Sequence, residues 1–273
     1  MSSLRIPRLI AMIIVGDEIL SGRRQDKHMA KMIELLSARG LMLSSVAFVA
    51  DDRPRLTQTL ARSFASGAVV FCCGGIGATP DDHTRQAAAA ALGVPLSLHP
   101  EAEALITQRC RVLAEQGKGQ ADMALPENQQ RLQMGVFPEG AEVVANPYNQ
   151  IPGFHIRDHT FVPGFPVMAW PMIETMLDTR YADMHHRTRN VEHSFLAFAL
   201  PESRITPAME ALEQAFPGVR AFSLPSVGED GGRPHIELGV KGEPEAAALA
   251  LAFLREAVAQ VGGRFQPEEG ASS

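Results

Sequence analysis

Three short segments of this chain concentrate side chains that can do chemistry. They are Asp17 with Glu18, Asp51 with Asp52, and a glycine run, Gly74, Gly75, Ile76 and Gly77, which leads through Thr79 to Asp81 and Asp82. Each follows an apolar run that reads as a buried strand, so the carboxylates belong at the carboxyl ends of strands, where open parallel α/β sheets bind ligands. Two carboxylates about 4 Å apart repel by about 4 kcal/mol at an effective dielectric of about 20. Converging several of them calls for a counter-charge, and Mg²⁺ or another divalent cation is the natural one. The glycines supply the other half: backbone without Cβ lets a ligand approach closely, and a following helix N-terminus favours an anion, phosphate above all. A divalent cation bridging carboxylate to phosphate oxygen makes both halves favourable. The loop has neither GxxxxGK[ST] nor GxGxxG spacing, which argues against a P-loop ATPase and a dinucleotide-binding Rossmann site.

Each residue also has a plainer reading. Asp52 and one of Asp81 or Asp82 are good N-caps. His28, in the first turn of a helix, reads as a surface residue or a helix-start hydrogen-bonder. His155 and His159 have metal-like spacing but flank a turn with no third partner, which disfavours zinc. Cys72 and Cys73 alternate to opposite faces of a strand and read as core. The methionines fall at helical spacing as core filler. Ser44, Ser45 and Ser63 have no His and Asp arrangement that makes a triad.

The elements that must position the acidic segments are legible from periodicity. Residues 8–15 are a continuous apolar run, the pattern of a strand buried on both faces. Met29, Met32, Ile33 and Leu36 at helical spacing, stopped by Gly40, predict a helix. A strand over Leu41 to Val49, a helix opened by Asp52 and Pro54, a strand over Ala68 to Cys73 and an alanine-rich helix over His83 to Leu92 follow. This alternation predicts an α/β fold on a mostly parallel sheet. Pro100 opens a further helix. Residues 117–152 read mainly as loops, and 161–170 as strand, turn and helix. Beyond residue 180 the pattern becomes β-α-β-β-α, with Thr206 and Pro207 capping a helix. The expected domains are 1–180, a small α+β domain over 181–265, and a disordered tail over 266–273.

Composition bounds the function. With 273 residues, 45% apolar and 21% charged, the chain is ordinary globular material of about two domains. A net charge of −6 opposes nucleic-acid binding, since the densest basic patch is only Arg180, His185, His186, Arg187 and Arg189. The apolar run Leu9 to Val15 is too short for a membrane span and lacks a cleavage site, and three cysteines with two adjacent make no disulfide framework. The expectation is a cytoplasmic protein that touches neither membrane nor nucleic acid.

The stretches GDEILSGRRQDKH (16–28), VADD (49–52) and GGIGATPDDHT (74–84), with FPEGAEVVANPYNQIPGF (137–154) and VPGFP (162–166), resemble the molybdopterin-binding domain of MoaB/Mog-type proteins, in its CinA-like branch and the related domain of FAD synthetases. The resemblance covers about residues 8–178 and implies a three-layer sandwich. It implies that Gly74, Gly75, Ile76, Gly77 and Thr79 cradle phosphate, that Asp51 and Asp82 are the acidic pair that positions Mg²⁺ and the reacting group, that Asp17, Glu18, Asp26 and Asp81 line the pocket, and that the turn with Pro163 and Gly164 closes one side. The small domain resembles the KH-like domain of CinA proteins, without a GXXG clamp for RNA. Ala78 stands where the family has proline and His28 where it has asparagine. The amide-hydrolysing domain of longer CinA proteins is not in this sequence, and that activity is expected to be absent. The resemblance implies a homo-oligomer and a small phosphate-containing ligand. Three readings follow: a Mg²⁺-dependent nucleotide pyrophosphatase on an adenine diphosphate of the ADP-ribose or FAD class, molybdopterin binding or nucleotidyl transfer in molybdenum-cofactor assembly, and a non-catalytic ligand-binding module.

Overall fold

The computed structural model of the chain describes residues 8–186, 191–228 and 233–265, in two units, residues 1–185 and 186–273. The expected tail over 266–273, and Arg187 and Arg189 of the basic patch, lie outside the described residues.

In the first unit the apolar run yields β1 (Ile10–Val15), followed by α1 (Asp17–Leu20), α2 (His28–Ser37), β2 (Ser45–Val49), α3 (Arg53–Ser66), β3 (Val69–Cys73) and α4 (Thr84–Leu92). Then come β4 (Leu96–Leu98), α5 (Pro100–Glu115), α6 (Pro126–Leu132), β5 (Val136–Pro138), β6 (Glu142–Val144), β7 (Gly153–Ile156), β8 (His159–Val162) and α7 (Pro166–Thr179). The main sheet has the order β2-β1-β3-β8-β7-β6. Its first four strands run parallel, and β7 and β6 add an antiparallel margin. Because β1 lies between β2 and β3, the chain reverses its direction of winding there, and the crevice at the carboxyl ends of β1 and β3 is the topological switch point.

Two cores sandwich the sheet, which makes three layers. Met12, Ile14, Phe71 and Cys73 pack with Met32 and Leu36 of α2 and Met172 and Ile173 of α7, while Ile13, Val70 and Cys72 pack on the other face with Leu56 and Leu60 of α3 and Ala87 and Ala88 of α4. Cys72 and Cys73 thus do face opposite layers, and burial raises both thiols out of the reactive range. A stack of Phe137, Phe154 and Phe161, with ring centroids 4.9 and 4.3 Å apart, ties the β7–β8 hairpin to the second core.

The segment 117–152 is more ordered than its composition suggests. It holds α6, β5 and β6, and α6 has the polar sequence PENQQRL, in which no apolar period is visible. Its buried Asn128 explains the order, since the side-chain amide donates to the carbonyls of Gln120 and Asp122 at 2.8 Å each and closes the preceding loop onto the helix.

The second unit contains β9 (Val191–Phe198), α8 (Glu202–Ala215), β10 (Arg220–Ser226), β11 (His235–Gly242), α9 (Pro244–Gln260) and the short β12 (Arg264–Phe265). Its antiparallel sheet has the order β10-β11-β9-β12, and Leu238, Val240, Leu212 and Leu254 fill its core. Pro207 does not cap α8. The helix starts at Glu202, and Pro207 falls in its second turn, where the missing amide costs a single backbone bond.

Candidate functional site

The four parallel strands deliver their acidic and glycine segments to one edge of the sheet, since β1 ends at Val15, β2 at Val49, β3 at Cys73 and β8 at Val162. The adjoining loops touch. The Gly16 amide donates to Val49 O at 3.1 Å and the Gly74 amide to Val162 O at 3.0 Å. A Cβ on Gly74, whose φ is +106°, would stand 2.4 Å from Val15 O, and one on Gly164 would stand 3.5 Å from Gly74 Cα. Glycine is required at position 74 because two loops cross there without room for a side chain.

Asp17 and Asp51 are joined reciprocally. The Asp17 amide donates to Asp51 Oδ2 at 2.9 Å, and the Asp51 amide to Asp17 Oδ1 at 3.3 Å. Burial first, then the negative charges of Asp17, Glu18 and Asp81, raise the Asp51 carboxyl above the ordinary range, opposed by the Asp17 amide. The short-range partner of Asp51 is therefore Asp17 and not Asp82. Asp82 serves the loop: its Oδ2 accepts from the Thr79 amide at 2.9 Å and the Thr79 hydroxyl at 2.6 Å, and a Cβ on Gly77 would stand 2.5 Å from the same oxygen. Asp81 is exposed, with its carboxyl held below the usual range by the Thr79 hydroxyl and by its own amide. Asp52 caps α3 by accepting from the Arg55 amide at 2.9 Å.

The glycine loop offers four consecutive amides. Among the described residues those of Gly75, Ile76, Gly77 and Ala78 donate to no hydrogen bond, whereas Gly74 and Thr79 spend theirs on Val162 and Asp82. Of Gly74, Gly75, Ile76, Gly77 and Thr79, only Gly75, Ile76 and Gly77 keep their amides unspent, and Ala78 adds a fourth. Gly75 is shaped by Thr84, whose amide donates to Gly75 O and whose buried hydroxyl donates to Gly74 O. Arg85 donates to Gly77 O and to Gln133 O, and Gln130 donates to Ala78 O. Since C=O and N–H of a trans peptide point in opposite directions, holding the Gly77 carbonyl toward Arg85 turns the Ala78 amide away from it. Burial lowers Arg85 to about 10, with the Asp82 charge opposing.

Two cavities flank the Pro163–Pro166 turn. One, of about 150 Å³, is a mainly apolar slot between Ile76, Gly77, Ile151, Pro163, Phe165 and Met168, with Asn146 and Asn149 on its wall. Asn146 is buried and fully engaged: it donates to Asn149 Oδ1 at 2.8 Å and Ile151 O at 3.0 Å, and accepts from the Tyr148 amide at 3.0 Å. Asn146→Ala is expected to cost about 2 kcal/mol, measured by urea unfolding, because the Tyr148 amide loses its acceptor. The other cavity, of about 300 Å³, is lined by Glu18, Asp26, His28 and Gly164 among others. Glu18 and Asp26 share this cavity, whereas Asp17 is not among its lining residues and is bonded to Asp51. Asp26 also caps α2 by accepting from the His28 and Met29 amides at 2.9 and 3.0 Å. His28 is not a surface residue: it is buried, with Nε2 3.0 Å from Gly164 O, and it ties α2 to the turn.

Among the described residues no three His, Cys, Asp or Glu side chains gather closely enough to hold a metal ion. The donor set does fit a magnesium-like ion, which is held by one or two carboxylates with waters and ligand phosphate completing its shell. Among the described residues no ion pair is formed by Asp51 or Asp17, and the two carboxylates share a sheet edge with the four unspent amides. His155 and His159 make hydrogen bonds within the fold. His155 Nδ1 lies 3.0 Å from Thr160 Oγ1, and His159 Nε2 lies 2.8 Å from Ser63 Oγ. The Ser63–His159 pair is a contact that sequence spacing did not reveal.

Gly77→Ala is expected to displace the Asp82 carboxylate, break its bonds to Thr79 and weaken phosphate-ligand affinity by about tenfold, while costing about 1–2 kcal/mol of stability. Calorimetric titration alongside thermal unfolding checks both.

Residues 11–182 match the family model described as "Probable molybdopterin binding domain". A protein of Aeropyrum pernix is 30% identical over 268 residues, covering 94% of this chain and 96% of the relative. A CinA-like protein of Anaeromyxobacter sp. strain Fw109-5 is 31% identical over 257 residues, 87% of this chain and 60% of the relative. The chain thus spans about 60% of the length of that relative. The crystal structure of a CinA protein of unknown function from Thermoplasma acidophilum overlays with a TM-score of 0.53 at 24% identity, covering 65% of this chain and 99% of that one. Among the described residues no helix is long and apolar enough to cross a membrane. With the family model covering residues 11–182, and with them the acidic, glycine-lined rim, the chain belongs to the family described as the probable molybdopterin binding domain and is similar to CinA-like proteins.

Proposed function

We propose that this protein is a divalent-metal-dependent pyrophosphatase that opens an adenine diphosphate of the ADP-ribose or FAD class. The observation that carries the reading is the pairing of four undonated amides, Gly75 to Ala78, with the cation-free carboxylates Asp17 and Asp51 on the same sheet edge. The amides suit one phosphate of the diphosphate, and the slot between Ile76, Pro163 and Phe165 suits a flat base. A divalent cation on Asp51 and Asp17, with the free oxygen of Asp82 or Asp81 within its surroundings, would offset the charge of the phosphates. In the reaction, water adds to one phosphorus as its bond to the bridging oxygen breaks, releasing AMP and a second phosphate monoester. The proton of that water would pass to an acidic side chain of the same edge.

The test incubates purified protein with ADP-ribose, FAD or a dinucleotide in Mg²⁺ or Mn²⁺ and follows AMP by chromatography. Metal-dependent AMP release is the expected result, and its absence from every adenine diphosphate overturns the reading. Family membership favours the second reading, molybdopterin held in the same slot. Saturable pterin binding with no adenine-diphosphate turnover would favour it.

A further inference from the structure

Behind the glycine loop lies a third cavity, of about 360 Å³, on the α6 side of the loop. Its polar lining is Arg85, Thr79, Gln86, Gln130 and Gln133, its remaining lining is apolar, and no carboxylate lines it. Arg85 is 4% exposed. A buried guanidinium ordinarily has a carboxylate counter-ion, because an unpaired charge away from water is costly. Here, among the described residues, no carboxylate forms an ion pair with Arg85, and its bonds go to the neutral carbonyls of Gly77 and Gln133. Guanidinium has five N–H donors. Two carbonyls leave most of that donor capacity unused, and the nearest opposing charge, Asp82, acts on the guanidinium without bonding to it.

We propose that this cavity is an oxyanion-binding subsite, separate from the Gly75–Ala78 cradle, in which Arg85 receives a carboxylate or phosphate group of a small molecule. The fork of Arg85 matches either group in bidentate geometry, and the side-chain amide of Gln133 is a neutral group able to donate beside it. The lining explains the selectivity: with a cation, a hydroxyl and amides and no acid, the cavity repels no anion and gives a cation nothing to replace its water. Since Arg85 also holds the Gly77 carbonyl, an occupant shares the guanidinium with the loop that shapes the cradle. The subsite stands independently of the pyrophosphatase reading, which uses the other side of the loop.

The test observes Arg85 itself. In ¹⁵N-labelled protein the Arg85 side-chain Nε–H resonance, assigned by its loss in Arg85→Lys, is followed as inorganic phosphate and, separately, acetate are added. A saturable shift with one or both is expected, and the anion that saturates it identifies the group accepted. Gln130→Glu, which places a carboxylate on the cavity wall and gives up the Gln130 bond to Ala78 O while leaving Arg85 to hold the loop, is expected to abolish the shift. A resonance unmoved by either anion, or one that shifts equally in Gln130→Glu, overturns the proposal. AMP release plays no part in this readout, so either reading can fail without the other.

Discussion

Asp51→Asn is expected to lower kcat/KM for AMP release by about a hundredfold or more, the scale seen when one group serving the transition state is removed. The asparagine carbonyl can still accept the Asp17 amide, now 2.9 Å from Asp51 Oδ2, so the loop between β1 and β2 keeps its shape. What is lost is charge and the capacity to take a proton. The same substitution removes the group on which burial and the fields of Asp17, Glu18 and Asp81 converge unfavourably. The metal-free variant is therefore expected to unfold at higher temperature than the wild type, while losing the stabilisation that added Mg²⁺ gives the wild type. Turnover assays paired with thermal unfolding with and without Mg²⁺ check both. Full activity in Asp51→Asn would remove this residue from the chemistry. An unchanged melting temperature would mean that the carboxylates do not repel appreciably.

The sheet and its acidic edge were legible because buried strands and amphipathic helices leave periodic signatures. The parallel strands β1, β2 and β3 and helices α2 to α5 stand close to where apolar spacing, Pro100 and Gly93 put them. Which carboxylates meet was less legible. Sequence distance carries no strand order, and Asp51 meets Asp17 because β2 is hydrogen-bonded to β1, whereas Asp82 is turned under its own loop by Thr79. Arg85 was missed because a cation in the alanine run of α4 reads as solvent-facing. Only the polar helix α6, invisible to periodicity, brings Gln133 over it and closes the cavity. A histidine in the first turn of a helix, such as His28, reads as a surface residue or a helix-start hydrogen-bonder. The return of the chain as the Pro163–Pro166 turn, far away in sequence, covers it.

The fold is expected to lose stability steeply between pH 6.5 and about 4. His155 and His159 are buried on β7 and β8, 2% and 1% exposed, and burial lowers each to about 4, with the neighbouring Arg180 charge acting further on His155. In the unfolded chain each titrates near 6.5. Above that value both states are neutral and the histidines cost nothing. As the pH falls, the unfolded state takes up protons that the folded state refuses, so the equilibrium moves toward unfolding until the folded histidines themselves protonate near 4. A depression of this size corresponds to about 3 kcal/mol for each histidine at the acidic end, a large part of the stability of an ordinary domain. The geometry agrees with the sign. The Phe64 ring lies tilted 4.1 Å from the His159 ring and Ser63 Oγ lies 2.8 Å from its Nε2, while the Arg157 carbonyl, which accepts from Nδ1 at 2.9 Å, opposes the shift without overcoming burial. Urea unfolding measured from pH 7.5 to 4.5 reads the slope directly. His159→Gln keeps a donor and an acceptor near Ser63 and Arg157 but does not titrate, so it is expected to be less stable at neutral pH and to lose about half of the pH dependence. If His159→Gln keeps the full slope, the acid sensitivity belongs to other groups and this histidine is neutral at no cost to the fold.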